Sequence, residues 1–343
     1  MLRFFRSRGH DTFIISFMHN NDLTRQRLAP GKGILNTKTL SKGVNYWNYS
    51  INDINIYYEV LPLSRDEMLS GNPMAIDHYM RKIKEHPDSY FLTVDTDSTC
   101  LSVHSILGTS SAHIICSPTN TIDWLRHNAL IQSMLRKRTV FTRSKLSQEE
   151  LFKTFNINSH VWPSFIDPAR HKFPRSKNGK RKIGYYSAGP HKGDSIVYSL
   201  IGELPDCHFV IMGNDFQNIQ NLPNVTFLGQ TTDLSSFYGE ISLLLVPSLK
   251  AEGFPRVIME GAINGIPAIA NKIGGIPDAM GDSGVLIEME SIEKMVENYK
   301  TAIYDLLNDQ KKYEVYSDRA IKRAEKYKLE VEKISTDYDN KFF

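Results

Sequence analysis

The sequence predicts an α/β protein with two domains, each built on a sheet that helices cover on both faces. Three observations lead to this prediction. The chain has 343 residues, which is long for one hydrophobic core and suits two domains. Short apolar runs alternate with helix-compatible segments along most of its length. Many of these runs are apolar at consecutive positions, which is typical of parallel strands buried on both faces.

The second half of the chain shows this alternation most clearly. Its predicted strands are 182–187, 208–213, 224–229, 241–247, 267–271 and 284–287. Its predicted helices are near 193–203, 232–239, 255–264 and 291–307. This order predicts a doubly wound domain, which binds ligands at the carboxyl ends of its strands.

The first half shows the same alternation less regularly. Its predicted strands are 12–17, 54–61, 90–94, 112–116, 138–142 and 160–164. Its predicted helices are 74–85, 121–135 and 147–155. We therefore predict domains at 1–164 and 182–325, a basic, proline-marked linker at 165–181, and a polar C-terminal helix at 326–343.

Composition places the chain among ordinary soluble proteins, with 41% hydrophobic and 23% charged residues. Its three cysteines are scattered, which indicates neither a disulfide framework nor a zinc site and favours a reducing cytosol. The start of the sequence is too charged for a signal peptide, and no apolar run could span a bilayer. A cytoplasmic location is the expectation.

Basic residues are unevenly distributed along the chain. Residues 1–43 carry eight Lys or Arg against Asp11 and Asp22, and the segments 126–145 and 170–182 contain no acid. Two interpretations stay open: a solvated basic face, or attraction to an anionic membrane surface or a phosphorylated substrate. Nucleic acid is disfavoured because no recognition motif accompanies the charge.

The stretch SLKAEGFPRVIMEGAINGIPAIANKIGGIPD, residues 248–278, predicts a turn after a strand and then a helix. Pro255 suits the first helical position, where its missing N–H is no loss. The free N–H groups of this helix would point out of the sheet edge and suit an anion. Glu260, in an apolar helix, can accept two vicinal hydroxyls, as acidic residues do for ribose in dinucleotide folds. Glu252 precedes the helix and would face the part of a ligand that lies beyond its phosphates.

This stretch resembles the signature of the retaining glycosyltransferases of family 4, which have the GT-B fold. The E-x7-E element matches Glu252 and Glu260, and matching segments continue in order over residues 182–290. The segments VFTRSKLSQEELFKTFNIN and VWPSFIDPARHKF in the first half are similar more weakly. The resemblance implies two Rossmann-like domains with parallel sheets facing across a cleft. The second would hold a nucleotide-sugar donor and the first an acceptor. The resemblance also implies that the C-terminal helix at 326–343 crosses back to the first domain.

Roles for individual residues follow from the same resemblance. Glu252 and Lys192 are the expected catalytic residues: Glu252 touches the donor sugar, and Lys192 neutralises the diphosphate as it leaves. Glu260 is expected to bind the ribose hydroxyls. The remaining expected donor-binding residues are Gly253, Phe254, Pro255, Arg256, Gly213, Asn214, Gly189 and His191. The resemblance implies a UDP- or GDP-linked sugar as donor, no further cofactor and no metal.

The sequence departs from the family pattern at three places. The family arginine five residues before the lysine corresponds to Ser187, and His191 or Arg256 could replace its charge. The family's first-domain histidine has no clear counterpart, since His113 lies at the wrong end of its strand. The printed sequence starts in what corresponds to the first helix, so the first strand and its glycine-rich loop are missing. We therefore expect nucleotide binding to persist and sugar transfer to be weak.

The leading hypothesis is a retaining glycosyltransferase that moves a hexosyl or pentosyl group to a saccharide or lipid-linked acceptor. Envelope polysaccharide or glycolipid synthesis at the inner membrane face would suit the basic stretches. The alternative is a truncated, weak or inactive remnant that only binds nucleotide or assists assembly. A third hypothesis, another GT-B enzyme such as a sugar-nucleotide epimerase, is disfavoured by the intact E-x7-E element.

Overall fold

The computed structural model describes most of the chain as two compact units. The described residues are 13–19, 36–40, 44–51, 54–61, 73–87, 91–94, 98–116, 118–166, 168–174 and 182–342. One unit comprises Met1–Ile114, Trp124–Val140 and Ser335–Phe343, and the other comprises Ile115–Asp123 and Phe141–Ile334. The domain boundaries stated from the sequence stay a prediction.

A mixed four-stranded sheet forms the start of the first unit. Its strands are β1 (Phe13–His19), β2 (Asn36–Leu40), β3 (Val44–Ile51) and β4 (Ile54–Leu61). Their order is β1-β4-β3-β2, in which β1 and β4 are parallel and the other pairs antiparallel. The antiparallel strands β2 and β3 were not predicted from the sequence. They carry many polar residues and do not read as buried apolar runs.

A second sheet has the order β5-β6-β7-β8. Its strands are β5 (Phe91–Val94), β6 (Ser111–Ile115), β7 (Thr139–Thr142) and β8 (His160–Val161). The accompanying helices are α1 (Pro73–Lys84), α2 (Ser98–Leu107), α3 (Pro118–Arg126), α4 (Ala129–Arg136), α5 (Lys145–Phe155) and α6 (Pro168–His171). Each predicted strand of the first half overlaps an observed one.

The helix predicted at 121–135 is two helices, α3 and α4. Asn128 separates them, with φ −132° and ψ 72°, and its side-chain amide donates to the carbonyl of Trp124 at 2.7 Å. A short polar side chain that hydrogen-bonds to the nearby backbone competes with helix continuation. The apolar periodicity runs through this break, so the pattern alone predicts one helix.

The second unit is built on a six-stranded, entirely parallel sheet. Its strands are β9 (Lys182–Ser187), β10 (His208–Gly213), β11 (Val225–Gly229), β12 (Leu243–Val246), β13 (Ala268–Asn271) and β14 (Gly284–Ile287). The order β11-β10-β9-β12-β13-β14 reverses direction between β9 and β12. This is a doubly wound sheet, as the sequence predicts.

Helices follow these strands and cover both faces of the sheet. They are α7 (Asp194–Glu203), α8 (Ser235–Tyr238), α9 (Arg256–Ile263), α10 (Ile276–Met280), α11 (Ile292–Asn308) and α12 (Gln310–Phe342). Leu243 and Leu245 pack in a core with α7 and α11, whereas Leu244 and Val246 pack with α9 and α10. Burial on both faces explains why β12 is apolar at every position.

Candidate functional site

The loops after β9 and β12 pack against each other at the point where the strand order reverses. The backbone N–H of Leu249 donates to the carbonyl of His191 at 2.8 Å. Between the loops, Gly193 has φ +93°, and a Cβ there would collide with the carbonyl oxygen of Pro247. Only glycine tolerates this conformation and this approach. The two loops therefore form a single surface at the edge where doubly wound sheets bind ligands.

The two residues expected to be catalytic meet on this surface. The Lys192 ammonium lies 2.6 Å from Oε2 of Glu252, with side-chain exposures of 24% and 16%. The hydroxyl of Ser248 donates to the other oxygen, Oε1. Both oxygens of Glu252 are therefore engaged, one by the ammonium group of Lys192 and the other by the hydroxyl of Ser248. The catalytic roles of Lys192 and Glu252 stay predictions.

A buried chain of hydrogen bonds supports Glu252 from behind. The side-chain amide of Asn271 donates to the carbonyl of Ser248 at 3.1 Å, and the Tyr299 hydroxyl donates to the Asn271 side-chain oxygen at 3.0 Å. Burial raises the pKa of Tyr299 well above its usual value, so this phenol stays protonated. Sequence reasoning missed Ser248, Asn271 and Tyr299. The available signal was the position of Ser248 just after one predicted strand and of Asn271 at the end of another.

Glycines bring three backbone segments into contact around Glu252. Gly274 has φ +56°, and a Cβ there would lie 2.6 Å from the backbone N and O of Glu252. The N–H of Gly275 donates to the Glu252 carbonyl at 2.6 Å. A Cβ on Gly253 would collide with the carbonyl of Cys116, and one on Gly275 with the carbonyl of Gly253. Close backbone packing therefore fixes the loop that carries Glu252.

The residues between Glu252 and α9 differ from expectation in one detail. Phe254 is buried and stacks on Tyr327 with ring centroids 5.3 Å apart. Pro255 precedes the helix rather than occupying its first position, because its ψ of 111° is extended and α9 begins at Arg256. The Pro255 carbonyl still accepts from the N–H of Ile258. Pro255 is thus the N-cap, so the predicted position is wrong by one residue.

Glu260 is only 8% exposed and has three side-chain neighbours on the described part of the chain. The Tyr238 hydroxyl donates to its Oε2 at 2.7 Å. At its Oε1, the guanidinium of Arg256 lies 3.1 Å away and Nε2 of His171 lies 3.6 Å away. A carboxylate in an apolar helix is thus supplied with donors, as burial of a charge requires. The predicted role of Glu260, binding of the ribose hydroxyls, is not tested by these contacts.

His171 comes from the segment predicted as a linker, and sequence reasoning did not assign it to the site. The side-chain amide of Asn264 donates to the His171 carbonyl at 2.6 Å and accepts from the N–H of Phe173 at 2.8 Å. This two-sided contact fixes residues 171–173 against α9. No local sequence pattern pairs residues that are about 90 positions apart, so this contact was not predictable.

The loop after β10 carries further residues expected to bind the donor. Gly213 has φ +111°, and a Cβ there would collide with the carbonyl of Ser187 at the end of β9. The N–H of Asn214 donates to that carbonyl at 2.9 Å. The Asn214 side chain accepts from the Gln230 amide at 2.8 Å. Gly189, with φ +124°, begins the loop that leads to His191, whose side chain is exposed.

Ser187 occupies the position where the resemblance leads one to expect an arginine. Its hydroxyl donates to Oδ1 of Asp194 at 3.0 Å, and the Tyr185 hydroxyl donates to the same oxygen at 2.6 Å. Burial and the hydrogen bond to Asp194 raise the pKa of Tyr185. A neutral hydroxyl and a buried acid thus occupy this place. Lys192 is the cation paired with Glu252.

The described ranges hold neither a cluster of metal-ligand side chains nor a membrane-spanning helix. Within them, no three His, Cys, Asp or Glu side chains are grouped so that they could hold a metal ion. The expectation of a metal-independent reaction stays a prediction. None of the helices in these ranges has the length and apolar character needed to cross a membrane.

The fold and the site define a doubly wound α/β protein whose charged residues meet at the ligand-binding edge of the sheet. Similar proteins are found by sequence and by structure. The sequence profile of the family described as Glycosyl transferases group 1 matches residues 195–309. An uncharacterized glycosyltransferase of Haemophilus influenzae is 28% identical over 208 residues, covering 56% of this chain and 57% of that protein. A poly(glycerol-phosphate) alpha-glucosyltransferase of Bacillus subtilis is 25% identical over 270 residues, covering 73% and 37%. The chain thus spans less than two thirds of either relative.

Solved structures share the fold over most of the chain. Sucrose-phosphate synthase of Thermosynechococcus elongatus has a TM-score of 0.69 at 14% identity, covering 96% of this chain and 99% of that one. HepE of Anabaena, solved with UDP and glucose, has a TM-score of 0.65 at 16% identity, covering 84% and 86%. The profile match over residues 195–309 and the shared fold support the resemblance to GT-B glycosyltransferases.

Proposed function

We propose that this protein is a retaining glycosyltransferase that uses a nucleoside-diphosphate sugar as donor. One observation carries the proposal: Lys192 and Glu252 form a 2.6 Å ion pair where the strand order of a doubly wound sheet reverses. The buried Glu260 lies eight positions further along the chain than Glu252, in the second turn of α9. A cation and two carboxylates on adjoining segments suit a ligand that combines a diphosphate with hydroxyl-rich sugars.

In the proposed reaction, the bond between the anomeric carbon of the donor and the phosphate oxygen breaks. The diphosphate leaves with the bonding electrons, and the acceptor hydroxyl oxygen bonds to the anomeric carbon on the same face. The acceptor proton passes to the departing phosphate oxygen. Lys192 supplies positive charge where negative charge develops, which favours the transition state. Glu252 contacts the donor sugar, and Gly253 and Phe254 offer backbone N–H groups beside it.

The donor and acceptor classes are inferred from similar proteins and from charge. HepE of Anabaena was solved with UDP and glucose, and the Bacillus subtilis relative is a poly(glycerol-phosphate) alpha-glucosyltransferase. For this chain we propose a UDP- or GDP-linked hexose or pentose as donor and a saccharide or lipid-linked acceptor of the cell envelope. The basic segments support action in the cytoplasm at an anionic membrane surface.

The test is a thermal-shift panel of nucleoside diphosphates and their sugars, followed by turnover. A ligand that binds the folded chain raises its melting temperature. The hit is then incubated with glycerol as a small hydroxyl acceptor, with and without EDTA. We expect a glycoside whose anomeric proton signal matches the donor configuration, formed equally with EDTA. An inverted product would contradict the retaining reaction, and loss of turnover with EDTA would contradict metal independence.

A second candidate, nucleotide binding without transfer, is favoured by one specific observation. Ser187 stands where an arginine is expected, and its hydroxyl is bonded to the buried Asp194. The leaving diphosphate would then meet less positive charge than two cations supply. Thermal shifts without any product, at high protein concentration and long incubation, would support this candidate over transfer.

A further inference from the structure

The carboxylate of Glu260 receives a hydrogen bond from a tyrosine that cannot itself reach a ligand. The Tyr238 hydroxyl lies 2.7 Å from Oε2 of Glu260. Tyr238 is 0% exposed. Its ring lies parallel to Phe173 at 6.3 Å between centroids and meets Phe237 edge-on at 5.0 Å. Any effect of this hydroxyl on a bound molecule must therefore pass through Glu260.

The two oxygens of this carboxylate have different surroundings. Oε2 faces the buried phenol, whereas Oε1 faces Arg256 at 3.1 Å and His171 at 3.6 Å. The Arg256 side chain is 55% exposed, so a ligand can displace it, but a ligand cannot displace Tyr238. Burial and the charge of Glu260 raise the pKa of Tyr238, which keeps the hydroxyl protonated and able to donate.

We propose that Tyr238 is a positioning residue for nucleotide recognition, whose hydroxyl orients the Glu260 carboxylate to accept the vicinal hydroxyls of a ribose. The inference rests on the proposed function, since it takes Glu260 as the ribose ligand. An ionised carboxylate has about four lone-pair sites on its two oxygens. Tyr238 engages one site on Oε2, which leaves acceptor sites on both oxygens for two hydroxyls.

Removal of the hydroxyl leaves Glu260 with donors on one side only. In Tyr238→Phe, Arg256 and His171 at Oε1 become its remaining side-chain neighbours among the described residues, and the carboxylate is expected to rotate toward Arg256. A ribose would then have to reorient the carboxylate before binding, and this loss of preorganisation lowers affinity. A molecule without ribose hydroxyls would not experience the change.

The experiment compares nucleotides with and without these hydroxyls by calorimetry. UDP and GDP are titrated into the full chain, and the one that binds is compared with its 2′,3′-dideoxy analogue. In Tyr238→Phe we expect the affinity for the ribonucleotide to fall about tenfold, since a hydrogen bond to a charged group is lost. The affinity for the dideoxy analogue should stay as in the wild-type chain. Tyr304→Phe is the matched control, because it removes a phenol that donates to another carboxylate, that of Asp206, outside the candidate site.

A double-mutant cycle with Glu260→Gln supplies a second arm. Because Tyr238 acts only through Glu260, Tyr238→Phe should weaken ribonucleotide binding less in a Glu260→Gln background than in the wild-type background. Full additivity of the two losses, or an unchanged ribose preference in Tyr238→Phe, would overturn the inference. A wild-type chain that binds neither UDP nor GDP would overturn the proposed function, and this inference with it.

Discussion

Lys192 and Glu252, sixty positions apart in the sequence, form an ion pair of 2.6 Å that joins the loops after β9 and β12. Ser248 holds the second oxygen of Glu252, so the carboxylate cannot turn away without losing a hydrogen bond. The pair is partly buried, and each partner left alone would keep an uncompensated charge in a partly desolvated place. Substitution of either residue therefore tests both charge and position.

Lys192→Gln should lower kcat by about 100-fold, the cost that removal of one stabilising group at a developing negative charge often has. The KM for the donor should rise less, because the charge of the leaving diphosphate is greatest in the transition state. Steady-state kinetics with the nucleotide sugar identified by thermal shift measures both constants.

Lys182→Gln is the matched control for this measurement. Lys182 forms a 2.5 Å ion pair with Glu240 in the same unit, at the opposite end of β9. Its substitution should leave kcat unchanged. A Lys192→Gln chain with normal kcat and a raised KM would show that Lys192 only contributes uniform binding.

Ser248→Ala should lower kcat about tenfold, because it removes a hydrogen bond to the charged carboxylate of Glu252. The affinity for a nucleoside diphosphate should stay nearly unchanged. Glu252 is proposed to contact the sugar rather than the nucleotide, so the two measurements should separate. Kinetics and calorimetry on the same preparation check this. Ser242→Ala, which removes a hydroxyl bonded to the Lys182 carbonyl, is the control. Equal losses of kcat and nucleotide affinity would contradict the assigned role of Ser248.

Gly274→Ala should reduce the free energy of unfolding by about 1–3 kcal/mol, the cost of a strained backbone conformation. The residue has φ +56°, and a methyl group there would lie 2.6 Å from backbone atoms of Glu252. Gly202→Ala is the contrasting variant, because a Cβ at this exposed position in α7 meets nothing within 4 Å. Alanine there should stabilise the helix by about 0.5–1 kcal/mol. Urea denaturation of both variants measures the difference, and equal effects would argue against close packing around Glu252.

The regular part of the fold was predictable from the sequence, for a physical reason. In the second unit, β9, β10 and β14 have the predicted bounds, because these mostly apolar or aromatic runs are bounded by polar or glycine residues. The break at Asn128 and the antiparallel strands β2 and β3 were not predictable in this way. They depend on a side-chain hydrogen bond and on polar strands that lack an apolar run.

The candidate site was predictable only where residue types carry the signal locally. Glu252, Glu260 and Lys192 were chosen from the sequence, and the structure brings Lys192 and Glu252 into contact. Tyr238 and His171 contact Glu260 from other segments of the chain. Such contacts arise from tertiary packing, so no spacing rule could have found them.

Adsorption to anionic vesicles should depend on salt if the basic segments contact a membrane. Exposed charges interact over about 8 Å at physiological ionic strength, so binding to phosphatidylglycerol vesicles should weaken as salt increases. Vesicles of phosphatidylcholine alone provide the neutral control in a sedimentation assay. Lack of binding to anionic vesicles at low salt would remove the membrane proposal and favour a soluble acceptor.

The central claim, that the second unit binds a nucleotide donor through Glu260, is tested most directly by calorimetric titration of UDP and GDP into the wild-type chain and Glu260→Ala. Loss of a charge-assisted contact predicts at least about tenfold weaker binding of the cognate nucleotide. Glu240→Ala removes a more exposed carboxylate from the same unit and should bind as the wild type does. Tight binding in the wild type and a tenfold or greater loss confined to a folded Glu260→Ala chain are the predicted results. Equal affinity in both chains would contradict the account.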